Sequence, residues 1–156
     1  MRLAGEFTVP APRDAVFARL TDAPFFLSCI EGASDLVEVD PAHYTATLAT
    51  SIAYMKFKFA VAVAFMEKVA PEKVAVKVEG TPLGMVGRLA ATAAARLAEA
   101  GGETRVTYEI DVVLTGKLGG IGEPVMRSKA KAMERSFVQN LLGAFAPTGA
   151  IGGAGA

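Results

Sequence analysis

Among its 156 residues the sequence has one cysteine, Cys29, one histidine, His43, and no tryptophan. A single thiol excludes an internal disulfide and suits a reducing compartment without requiring one. One histidine and one cysteine also leave little material for a nucleophile–base pair or a metal centre. Both need oriented partners or clustered ligands. His43 follows Pro41-Ala42 in an expected turn and reads as exposed; Cys29, close to Gly32, reads as a half-buried structural thiol. Charge of one sign is lacking as well: 16 Lys and Arg face 16 Asp and Glu, so no global basic field exists to hold nucleic acid. Long apolar runs are absent. The longest candidate, Phe59 to Met66, falls well short of the roughly 18–20 residues of a membrane span. Met1 to Phe7 holds no apolar core of signal-peptide length. A soluble or peripheral protein of the cytoplasm is expected.

What is present is alternation. Leu3, Gly5, Phe7 and Val9 alternate with Arg2, Ala4, Glu6 and Thr8, the period of a strand with one buried face. Pro10-Ala11-Pro12 stops it and opens a helix with an apolar stripe of Val16, Phe17 and Leu20. Thr21-Asp22-Ala23-Pro24 restarts a short helix through Phe25, Phe26 and Leu27, terminated near Gly32. Strands are then expected over 34–39, 44–52 and 56–69. The last of these sets Phe57, Phe59, Val61, Val63 and Phe65 against Lys56, Lys58, Ala60, Ala62 and Ala64. Val74, Val76 and Val78 mark another strand, broken by Gly80 and Pro82. The alanine-rich stretch 88–98 reads as a strand, despite the helix preference of alanine, because Gly101-Gly102 looks like a hairpin turn. Val106, Tyr108, Ile110, Val112 and Leu114 form its partner. After a glycine-rich connector, Gly116 to Gly122, a helix is expected from Glu123 to about Phe145, with Ile121, Val125, Met126, Met133, Phe137, Leu141 and Phe145 at helical spacing.

The expected fold class is therefore α+β. A curved antiparallel meander of about seven strands is covered by one long C-terminal helix, with two short helices after the first strand. One domain spans 1–146, and a Gly/Ala tail over 147–156 has nothing to bury and is expected to be flexible.

Alanines on a sheet face beneath a long helix leave that interior either tightly packed or hollow. Phe26, Phe57, Phe59, Phe65, Met85, Ala91, Ala93, Tyr108, Ile110, Val125, Met126, Met133 and Phe137 are candidates to line an apolar pocket, in which methionine adapts to varied ligands. An ordinary core would use the same residues. Tyr108 is the obvious polar group on the inner face, whereas Glu109 and Asp111 point away. The glycines of 116–122 precede a helix but lack both phosphate-binding spacings, so they read as a lid or hinge, or as a turn fitted to a crowded corner. Lys117, Arg127, Lys129, Lys131 and Arg135 make the last helix locally basic, either as a solvated face or as a surface for an acidic partner or an anionic membrane.

The order of elements resembles the START-like (SRPBCC) helix-grip superfamily. Four segments narrow the resemblance: Gly5 to Phe17, Cys29 to Ala33, Gly101 to Tyr108, and Gly116 to Gly122 leading into Ala130-Lys131-Ala132-Met133 and Phe137. Together they are similar to the CoxG family of carbon monoxide dehydrogenase subunits over nearly the whole chain to about residue 145. Phe17 stands where members often carry Trp, and Glu31 where they usually carry Pro. The resemblance implies a non-catalytic accessory of a membrane-associated molybdenum hydroxylase such as carbon monoxide dehydrogenase. It implies a quinone or lipid as cargo and recruitment to the inner face of the membrane. Two alternatives stay open: an enzyme of the polyketide cyclase or hydrolase type acting through Tyr108, and a maturation chaperone or recruitment adaptor docking through the basic helix.

Overall fold

Period-two alternation produces strands wherever a sheet face can be buried, and here it produces seven. The computed structural model describes residues 1–145; the expected tail over 147–156 lies outside them. The order is β1 (Arg2–Val9), α1 (Arg13–Leu20), α2 (Ala23–Ser28), β2 (Ala33–Asp40), β3 (His43–Ile52), β4 (Met55–Val69), β5 (Lys73–Pro82), β6 (Gly87–Ala100), β7 (Glu103–Gly116), a 3-10 turn (Lys117–Gly120) and α3 (Glu123–Gly143). The strands form one antiparallel sheet in the order β1-β7-β6-β5-β4-β3-β2. The meander runs from β2 to β7, and β1 closes on β7, its start tied there by the Arg2–Asp111 ion pair at 3.0 Å.

Local chemistry sets the short helices. Pro12 is the extended N-cap of α1, which buries Val16, Phe17 and Leu20. At α2 the Asp22 carboxylate accepts from the Phe25 N–H at 3.2 Å, satisfying a donor that the helix start leaves free. Gly32 follows at φ +87°, where a side chain would strike the Ala49 carbonyl, so the chain turns into β2 only with glycine there.

Four expectations need correction. Strand β5 runs through Gly80 to Pro82 because Gly80 stays paired with Val61 and Leu89, and Pro82 sits at the strand end, opposite Phe59. The alternation of β4 stops at Phe65, where the register with β5 shifts before Glu67 and leaves Met66 exposed. Helix α3 ends at Gly143 rather than Phe145. Cys29 is buried, at 2% exposure, not half-buried, because it caps α2 beneath α3, whose Asn140 donates to the Cys29 carbonyl at 3.0 Å. The alanine-rich β6 is a strand throughout, paired residue by residue with β5 and β7.

Candidate functional site at the inner face of the sheet

Alternate residues of β1 and of β3 to β7 line the inner face of the sheet, and they are packed at two ends. At the α1 end, Val9, Val16, Phe17, Leu20, Val74, Leu97, Val106 and Leu141 form a buried cluster, with Phe65, Val76, Ala95 and Phe137 against it. At the other end, beside the 3-10 turn, Ile52, Phe57, Phe59 and Leu118 form a second, with Met85, Leu89, Val125 and Met126 against it. Leu118, at 1% exposure, pins the glycine connector into that cluster, so this segment is a fitted corner.

Between the clusters the inner face is less completely buried. Gly5, Val78, Ala91, Ala93, Tyr108 and Ile110 face inward yet are only partly buried, and none belongs to either cluster. Met133 and Glu134 of α3 share that intermediate burial. The backbone of α3 comes near the sheet chiefly at β1 and β3, towards its flanks. The helix thus straddles the middle of the sheet, where β5 and β6 supply small side chains.

One polar spot lies in this middle zone. Gly5 of β1 pairs in register with Tyr108 of β7. A side chain at Gly5 would collide with both the Tyr108 hydroxyl and the Glu134 carboxylate of α3. The absent side chain leaves a space on which the strand phenol and the helix carboxylate converge. Phe7 flanks the phenol, its ring centroid 6.4 Å from that of Tyr108. Tyr108 was legible from alternation; Glu134 was not. The available signal was Gly5 itself, a strand-interior glycine opposite an aromatic on an otherwise bulky face, which marks a close approach.

The candidate pocket residues therefore separate. Phe57 and Phe59, stacked at 5.7 Å, lie with Met85, Val125 and Met126 in the connector-end cluster. Phe65 and Phe137 border the α1-end cluster, and half-exposed Phe26 packs on Phe137 at 4.9 Å. Ala91, Ala93, Tyr108, Ile110 and Met133 are in the zone between. On the basic side, Lys117, Lys131 and Arg135 are exposed, while Arg127 and Lys129 are partly buried and Arg127 binds Glu123 at 2.9 Å. His43 is exposed and meets Asp40 at 2.8 Å; that contact and the Ala42 N–H hold the Asp40 carboxyl below its usual range. Among the described residues no three of His, Cys, Asp and Glu gather as metal ligands, and no helix is long and apolar enough to cross a membrane. A hollow of about 320 Å³ lined by Lys77, Glu79, Arg88, Ala90, Val113 and Thr115 lies on the outer face, away from this zone.

The family model for the CoxG subunit of carbon monoxide dehydrogenase matches residues 5–145. The chain belongs to the CoxG family. No curated protein matches its sequence. Solved structures place the CoxG-family chain in the helix-grip fold. A conserved protein from Geobacillus kaustophilus superposes with a TM-score of 0.85 at 21% identity, over 92% of this chain and 94% of that one. Protein CV1439 from Chromobacterium violaceum gives 0.69 at 14% identity, over 92% and 95%. The Zhui aromatase/cyclase from Streptomyces sp. R1128 gives 0.67 at 12% identity, over 92% of each chain. At such identities these likenesses concern the fold alone.

Proposed function

We propose that this CoxG-family chain is a non-catalytic carrier of a hydrophobic molecule, a quinone or similar lipid, in the service of a molybdenum hydroxylase of the carbon monoxide dehydrogenase type. The observation that carries the reading is the inner face itself, buried at both ends and only partly buried between them. A face of Ala91, Ala93 and Val78 beneath a straddling helix, with a polar spot beside it, has the composition of a small-molecule site. Native mass spectrometry of the purified chain, with organic extraction of whatever it holds, tests this. A co-purifying apolar molecule is the expected result. Protein that carries none and takes up no added quinone or lipid would defeat the reading.

A carrier of such cargo must meet a membrane, and we assign that contact to the connector-end rim. Tyr54 at the β3–β4 tip is fully exposed, as are large parts of Met55, Leu83 and Val86. Lys56, Lys58 and Lys117 surround them, and the Lys117 N–H bonds the Val86 carbonyl at 3.0 Å. Apolar tips with a tyrosine and flanking lysines suit an anionic lipid surface. Glu123, on the same rim, is neutralised by Arg127.

An enzymatic reading is favoured by one observation, the convergence of the Tyr108 phenol and the Glu134 carboxylate, two proton-bearing groups, on the space at Gly5. It requires turnover of an aromatic polyketide that Tyr108→Phe abolishes; absence of turnover rules it out.

A further inference from the structure

The convergence of Tyr108 and Glu134 on the space at Gly5 has a directional chemistry. A carboxylate offers only acceptor lone pairs; a phenol has one O–H to give and lone pairs to receive with. The spot therefore holds one O–H to give against the lone pairs of a carboxylate and a phenol, an excess of acceptors. A ligand group seated there must then bring a donor. A hydroxyl satisfies the spot, whereas a carbonyl or ether adds another acceptor and leaves all of them unpaired in an apolar setting.

Three placements support this use of the pair. Register sets Gly5 directly opposite Tyr108. The missing side chain at Gly5 is the space into which both polar atoms reach, one from the sheet and one from the helix. The remaining inward positions of these two strands around the pair are apolar: Leu3 and Phe7 on β1, Val106 and Ile110 on β7. A bulky interior that gives way at one strand position to a phenol and a carboxylate is arranged around polar recognition.

We infer that Tyr108 and Glu134, admitted by Gly5, form a head-group site that selects a hydroxyl-bearing ligand, such as a phenol or hydroquinone carrying an apolar tail, over its carbonyl or ether counterpart. The inference rests on the carrier reading above and adds to it the form of cargo that is held. For a redox-active cargo it means that the reduced, dihydroxy form binds more tightly than the oxidised, dicarbonyl form.

The test titrates the full chain, freed of endogenous lipid on a hydrophobic resin, with decylhydroquinone and with its dimethyl ether, followed by calorimetry. The tails match, so only the head group differs. The intact chain should prefer the hydroquinone by about tenfold, the worth of one retained hydrogen bond. Glu134→Gln, whose amide can itself donate, should reduce that preference to under threefold by weakening the hydroquinone and sparing the ether. Tyr108→Phe should act in the same direction, and circular dichroism checks that both variants fold. Equal binding of the two probes by the intact chain, or a preference that survives Glu134→Gln, overturns the head-group site while leaving the carrier reading in place. Failure of both probes to bind overturns the two together.

Discussion

At the scale of single residues, two buried groups have consequences that can be measured. Thr104 is wholly buried and donates its hydroxyl to the Ala11 carbonyl at 2.7 Å, joining β7 to the loop before α1. Thr104→Val keeps the shape and strands that carbonyl. A buried polar group left unpaired costs about 1–3 kcal/mol, so denaturant unfolding should show a loss of that size, against a smaller loss for Thr104→Ser. Cys29 is the second case. Burial pushes its thiol above the usual range, the principal cause, and hydrogen bonding to Ser28 only partly offsets it. An acid whose folded pKa is raised contributes stability fully below its unfolded pKa, and that stability is lost as pH rises through the folded one. The chain should therefore lose stability as pH rises past the ordinary thiol pKa of about 8.5, and Cys29→Ala should lose less over the same rise. Iodoacetamide should label native Cys29 far more slowly than the unfolded chain.

At the scale of elements, carriage of a ligand requires room between the sheet and α3. Ala93 tests this, because it faces inward between Val76 and Ile110 and lies outside both clusters. Overpacking a filled core costs about 1–3 kcal/mol. In open space the added methylenes of Ala93→Leu should leave the unfolding midpoint unchanged or raised, and should abolish uptake of an apolar probe. A loss of about 1–3 kcal/mol would mean that α3 sits on a packed sheet. The strands were legible because alternation is enforced by one buried face, and even the alanine run of β6 announced itself through the Gly101-Gly102 turn. The bulge after Phe65 was not legible, because a register shift belongs to a pair of strands and no single strand records it. The same holds for the site. Tyr108 lies on a strand face that its own neighbours define. Glu134 is one charge among Lys129, Lys131 and Arg135 on α3, and only Gly5, far away in sequence, distinguishes it. Properties of one element could be read from the chain; properties of two elements meeting could not.

At the scale of the whole molecule, the two ends of the sheet do different work. The α1 end is closed by helices and carries the larger cluster. The connector end presents its hairpin tips to solvent, and one tip is conformationally costly. Ala53 and Tyr54 form the two-residue turn between β3 and β4, with φ of 50° and 70°. Both angles positive is the type I′ pattern, which Asn-Gly serves best. A non-glycine residue in the left-handed region costs about 1–2 kcal/mol, and Tyr54 bears that cost while burying nothing. Strain held at an exposed aromatic is intelligible if the ring meets something outside the chain, and the lysines around it point to an anionic lipid surface. Tyr54→Gly should therefore do two opposed things. Relief of the turn should raise unfolding stability by about 1 kcal/mol. Loss of the ring should weaken co-sedimentation with phosphatidylglycerol vesicles, an effect that Val86→Ser should reproduce without the gain in stability. Charge reversal of Lys131 and Arg135, further along α3, should leave sedimentation intact. If that reversal releases the chain from vesicles and Tyr54→Gly does not, the membrane face is the basic helix and the strained tip has another use.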